Sequence, residues 1–168
     1  MTEHRHARDP FTTGTKTQKA SLVVGATFLL VGGLGFVPGF TIGYDHLEFA
    51  GGSGAMLLSV FAVSVLHNLI HLSFGVAGLL LARTWSDARG YLVGGGVLYL
   101  LLWLYGPLVG NRNNAELASL TDANNWLHLV LGFGMFSVGV FFSGERRSGG
   151  LSGVPLRRTA PPTELSAH

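Results

Sequence analysis

The sequence predicts an all-α integral membrane fold, a four-helix bundle built from two parallel-repeat helical hairpins. Three observations lead there. Only 12% of the 168 residues are Asp, Glu, Lys or Arg, about half the share of a soluble domain. Four stretches approach the ~20 apolar residues that cross a hydrocarbon core. And Asn68-Leu-Ile-His71-Leu-Ser-Phe-Gly75 recurs as Asn125-Trp-Leu-His128-Leu-Val-Leu-Gly132, each copy inside an apolar segment.

The four expected spans are about 20–40, 56–82, 91–109 and 123–142. They are apolar nearly all round, whereas a helix on a soluble core keeps one polar face. The third carries no charge between Tyr91 and Val109. Residues 1–19 form a polar N-terminal tail without the apolar run of a signal peptide, so the first span reads as an uncleaved anchor. Residues 20–143 form the membrane domain. Residues 144–168, rich in Gly, Ser, Pro and Arg, form a tail expected to be disordered.

Basic residues set the orientation. With both termini cytoplasmic, Arg5, Arg8, Lys16, Lys19, Arg83, Arg89, Arg146, Arg147, Arg157 and Arg158 lie inside, and Arg112 alone lies outside. The outer loops, about 41–55 and 110–122, carry Asp45, Glu48, Glu116 and Asp122. The basic residues flank apolar segments rather than forming one patch, which argues against nucleic-acid binding. The chain has no cysteine, so disulfides, thiolate metal sites and a cysteine nucleophile are excluded.

The two copies of the motif are 57 residues apart, in spans running the same way, so a pseudo-two-fold axis would lie along the membrane normal. Within each copy Asn, His and Gly fall on one helix side. Gly75, Gly78 and Gly132 would let a neighbouring helix approach. Gly35/Gly39 and Gly90/Gly94 supply small-xxx-small patterns in spans one and three. His67 stands one turn above His71. At ~1.5 Å per residue, His71 lies roughly 18 Å from Arg83 and His128 roughly 27 Å from Arg146. Together His67, Asn68, His71, Asn125 and His128 form an intramembrane polar cluster towards the outer side, open to loops that carry Asp45, His46, Asn111, Asn113 and Asn114.

Several chemistries compete for that cluster. The simplest is structural: amide and imidazole groups hydrogen-bonding between helices, each contact worth ~0.6–2 kcal/mol. A b-type haem between His71 and His128 is a second, since a bundle can hold haem between histidines on different helices; their unequal depths count against it. A metal ion at His67 and His71, with His128 as third ligand, is a third, although no carboxylate inside a span could serve as general base. A proton path descending through the histidines is a fourth. No nucleophile elbow or phosphate-binding loop is present. The expected protein is therefore a non-enzymatic accessory or structural membrane component with no cofactor assigned. Its partners are the lipid bilayer and, for an accessory component, other membrane proteins or further copies of the chain.

The segment from Leu22 to Gly39, the segment Ser64-Val-Leu-His-Asn-Leu-Ile-His-Leu-Ser-Phe-Gly-Val-Ala-Gly78 and the second Asn-x-x-His motif together resemble the domain-of-unknown-function family 4383, small four-span bacterial membrane proteins. The resemblance covers about 19–144, and no Asn, His or Gly of the motif departs from the family pattern. It implies a bacterial plasma-membrane protein with four helices and supplies no activity, substrate or cofactor.

Overall fold

Four helices and a small antiparallel sheet make up the described part of the chain. The computed structural model describes residues 14–50, 54–109 and 122–142. The expected N-terminal and C-terminal tails, and the second outer loop with Asn111, Arg112, Asn113, Asn114 and Glu116, fall largely or wholly outside the described residues. Helix α1 spans Lys16–Leu34, α2 Val65–Leu81, α3 Trp85–Val109 and α4 Asp122–Phe141. Strands β1 (Thr41–Ile42), β2 (Met56–Leu57) and β3 (Phe61–Ala62) form a meander between α1 and α2.

Local chemistry sets the helix ends. Thr15 caps α1 in a capping box with Gln18, so two otherwise orphaned N–H groups find acceptors. Gln18 also reaches across to α2, its Nε2 donating to the Ala82 and Arg83 carbonyls at 3.0 Å. Ser64 caps α2, accepting the His67 N–H at 3.1 Å. The Val65 and Leu66 N–H groups donate to the Glu48 and Phe49 carbonyls, which leaves the first turn of α2 well satisfied. The turn between α2 and α3 is short, because Thr84 Oγ1 accepts the Asp87 N–H and the next helix starts at Trp85.

The all-α expectation needs correction at the meander. Residues 56–64 were expected within span two, yet the helix begins only at Val65, and β2 pairs with β1 (Thr41 opposite Leu57) and with β3 (Leu57 opposite Phe61). A short apolar run does not distinguish strand from helix. What decides here is the turn chemistry around it. Gly43 takes φ +65°, and a Cβ there would sit 2.8 Å from the Gly54 carbonyl oxygen. Leu58 and Ser59 both take positive φ, the pair of left-handed residues that a tight hairpin uses. Span one likewise ends at Leu34 rather than near residue 40, and helix α3 starts before the expected span, at Trp85.

Two helices, Lys16–Leu34 and Trp85–Gly106, are long and apolar enough to cross a membrane. Val65–Leu81 is apolar but shorter, having yielded its first residues to the sheet. Helix α1 packs chiefly on α2, and α3 on α4. One core lies between the pairs, formed by Phe28, Tyr91, Leu92, Tyr99 and Met135. A second lies under the meander, where Ala55, Leu57 and Val63 meet Val31 and Leu34.

Candidate functional site

The same three contacts occur in both helix pairs. Between α1 and α2, the Asn68 amide lies against Gly35, where a Cβ would collide with it, and the Gly25 and Gly75 backbones meet. His71 packs its ring 5.3 Å from Phe28. Between α3 and α4, a Cβ on Gly106 would sit 2.6 Å from Asn125 Oδ1, and the Gly96 and Gly132 backbones meet. His128 packs 5.3 Å from Tyr99. Each asparagine thus occupies the space of a missing side chain, and each histidine is set against an aromatic ring on the partner helix.

The glycines that make these approaches are only partly those singled out from spacing. A Cβ on Gly78 would meet Gly25 and the Tyr91 ring at 2.8 Å, and Gly25 and Gly96 supply the facing surfaces. Gly90 and Gly94, in contrast, have nothing within 4 Å of an added Cβ, and Gly39 lies beyond the end of α1. Of these two small-xxx-small patterns only Gly35 makes a helix contact, with Asn68. Gly25, Gly96 and Gly106 have no motif around them; their role follows from what stands opposite.

Hydrogen bonding also differs from the expected arrangement. The ring of His71 bonds within its own helix, with Nδ1 2.9 Å from the His67 carbonyl oxygen. A carbonyl only accepts, so Nδ1 carries the hydrogen and the neutral ring presents Nε2 as an acceptor. The bonds that do join helices come from other residues. Ser21 Oγ donates to the Gly78 carbonyl at 2.8 Å, Tyr91 OH to the Phe74 carbonyl at 3.2 Å and Arg89 Nε to the Gly139 carbonyl at 3.2 Å. Asn124, the neighbour of the motif asparagine, ties α4 to the meander, its Nδ2 donating to the Ala62 carbonyl at 2.8 Å. Asn68 Nδ2, Asn125 Oδ1 and His128 Nδ1 are buried without a hydrogen-bond partner among the described residues.

The three histidines come together. His67 and His71 stack with ring centroids 4.3 Å apart, and both line, with His128, a cavity of about 180 Å³ beneath the meander. Leu57, Phe61 and Asn124 complete much of its wall. Counted to the helix ends rather than to the charged residues, the two histidines stand at more similar heights. His71 stands ten residues before the end of α2 and His128 thirteen before the end of α4, because α4 ends at Phe141, short of Arg146. Asp45 and His46 lie exposed in a 3-10 turn, Tyr44–His46, and are not among the residues lining the cavity. Among the described residues, no group of three or more His, Cys, Asp or Glu side chains is arranged to hold a metal ion.

Four helices, two of them of membrane-crossing length and apolarity, enclosing a polar cluster and capped by a small sheet, define a class of mostly helical protein. The chain belongs to the family described as a domain of unknown function (DUF4383), which matches residues 18–141. No curated protein and no solved structure matches the chain.

Proposed function

We propose that this is a multi-pass protein of the bacterial plasma membrane, with four helices across the bilayer and both termini cytoplasmic, acting as a structural or accessory membrane component. The observation that carries this reading is an inverted polarity. Val23, Leu30, Leu101, Val130 and Phe133 stand more than half exposed on the outer faces of α1, α3 and α4, with Ile70 and Val76 close behind on α2. Thr17, Ser21, Asn68, His71, Asn124 and His128 are buried inside. So many large apolar side chains exposed on the helices are costly in water and normal in lipid. The helices that fall short of the length and hydropathy of a lone span share this outer surface, which is why we count four.

The orientation is supported by the asymmetry of the two ends. Lys16, Lys19, Arg83 and Arg89 gather at the end where α2 turns into α3, and the meander with Asp45 and Glu48 occupies the other. The recurrence of Asn-on-Gly, Gly-on-Gly and His-on-aromatic contacts supports two hairpins derived from one repeat. Of the ligand readings, haem at His71 and His128 has the cavity against it. At about 180 Å³ it is smaller than the ~300–1,000 Å³ of pockets for larger ligands, and Phe28 and Tyr99 already pack against the two imidazoles.

The test uses the absence of native cysteine. The protein should stay in the membrane pellet after alkaline carbonate extraction. In intact cells an impermeant thiol reagent should label Asp45→Cys and spare Ser86→Cys. Release by carbonate refutes the membrane reading, and the reverse labelling pattern refutes the orientation.

A further inference from the structure

We propose that the histidine-lined cavity binds a membrane-dissolved phenol or quinol head group, whose hydroxyl donates a hydrogen bond to His71 Nε2. The argument begins with an unmet acceptor. His71 is 6% exposed and its Nδ1–H is used by the His67 carbonyl. Among the described residues no donor reaches the remaining ring nitrogen. His71 lines the 180 Å³ cavity and also an adjoining one of about 140 Å³. His128, which lines the same cavity, holds a buried ring nitrogen, Nδ1, without a partner among the described residues. An acceptor left open beside a largely apolar cavity is completed by a ligand that brings its own donor.

Size and shape select the ligand class. An apolar cavity of ~150 Å³ holds one benzene ring, so the larger cavity takes a single ring and little more. His67 and His71, whose rings stack on each other, and Phe61 supply its aromatic lining. Apart from the three histidines and Asn124, the walls are Leu, Val and Phe, so most of the occupant's surface meets apolar side chains. The adjoining cavity shares Val31, His71 and Leu127 and follows the seam between α1 and α4. It reaches Val23, whose side chain is 63% exposed on the outer face. A ring with an alkyl tail fits this layout: ring against the histidines, tail along the seam towards lipid. The inference goes beyond the structural reading above and rests on it only for delivery of the ligand from the bilayer.

The experiment compares 4-butylphenol with 4-butylanisole, which has the same body and no hydroxyl donor. Full-length protein in nanodiscs, labelled with ¹⁵N at histidine, is titrated with each. The phenol should bind saturably, at least tenfold tighter than the ether, and shift the His71 Nε2 resonance. Val31→Phe and Leu127→Phe, which fill the junction of the two cavities without altering an imidazole, should each weaken phenol binding tenfold or more. Helix content and melting temperature identify whichever variant remains folded. Equal binding of phenol and ether, no saturable binding, or undiminished binding in folded variants overturns the proposal. A protein that resists carbonate extraction yet binds neither probe loses this inference and keeps its membrane assignment.

Discussion

Replacing Gly75 by alanine adds one methyl group where α1 and α2 cross. That methyl would lie 2.6 Å from Leu29 Cγ, 2.7 Å from the Leu29 backbone nitrogen and 2.8 Å from the Gly25 carbonyl oxygen. The side-chain atom can turn away, but the two backbone atoms cannot move without separating the helices by several tenths of an ångström. Overpacking of this kind costs ~1–3 kcal/mol. Alanine also gains up to ~1 kcal/mol of helix propensity over glycine, so the intrinsic gain must be measured separately. Gly94→Ala does this, because nothing stands within 4 Å of its Cβ. Gly75→Ala should therefore be less stable than Gly94→Ala by ~1–3 kcal/mol, the overpacking term alone. Gly132→Ala, whose methyl would meet Leu100 N at 2.8 Å and Gly96 O at 3.1 Å, should behave like Gly75→Ala. Reversible unfolding in mixed detergent micelles, followed by far-UV circular dichroism, gives the differences directly. Equal stability of Gly75→Ala and Gly94→Ala would refute a backbone approach at this crossing.

Two further outcomes follow from the contacts between helices. Ser21→Ala removes the buried 2.8 Å bond to the Gly78 carbonyl and should cost ~0.6–1.7 kcal/mol in the same unfolding assay; an unchanged midpoint would mean that the bond adds nothing to the α1–α2 contact. Tyr99 touches Phe28, Phe74 and His128 with ring centroids 5.3–5.7 Å apart, so Tyr99→Ala should lose ~3–5 kcal/mol. Tyr99→Phe keeps those ring contacts and should stay within ~1 kcal/mol of wild type, a contrast that a role carried by the hydroxyl would abolish.

Much of this molecule is determined by the sequence alone. Apolar length and low charge predict helices, two of which have membrane-crossing dimensions, because a buried backbone in lipid must satisfy its own hydrogen bonds. The family is legible in the Asn-x-x-His-Leu-x-x-Gly segment and its surroundings. The grouping of His67, His71 and His128 is legible as well, since residues three and four apart share a helix side and the second motif repeats the first. Three features belong to the tertiary structure. The meander was hidden because residues 56–64 are as apolar as a span; Met56–Leu57 pair with Phe61–Ala62 across a local turn and with Thr41–Ile42, and the second contact is one that no local pattern encodes. Gly25, Gly96 and Gly106 matter through what lies opposite them, and spacing within one helix cannot identify a surface on another. The cavity exists because α1 and α4 meet only loosely beside the histidines, and a void is a property of packed neighbours rather than of any segment.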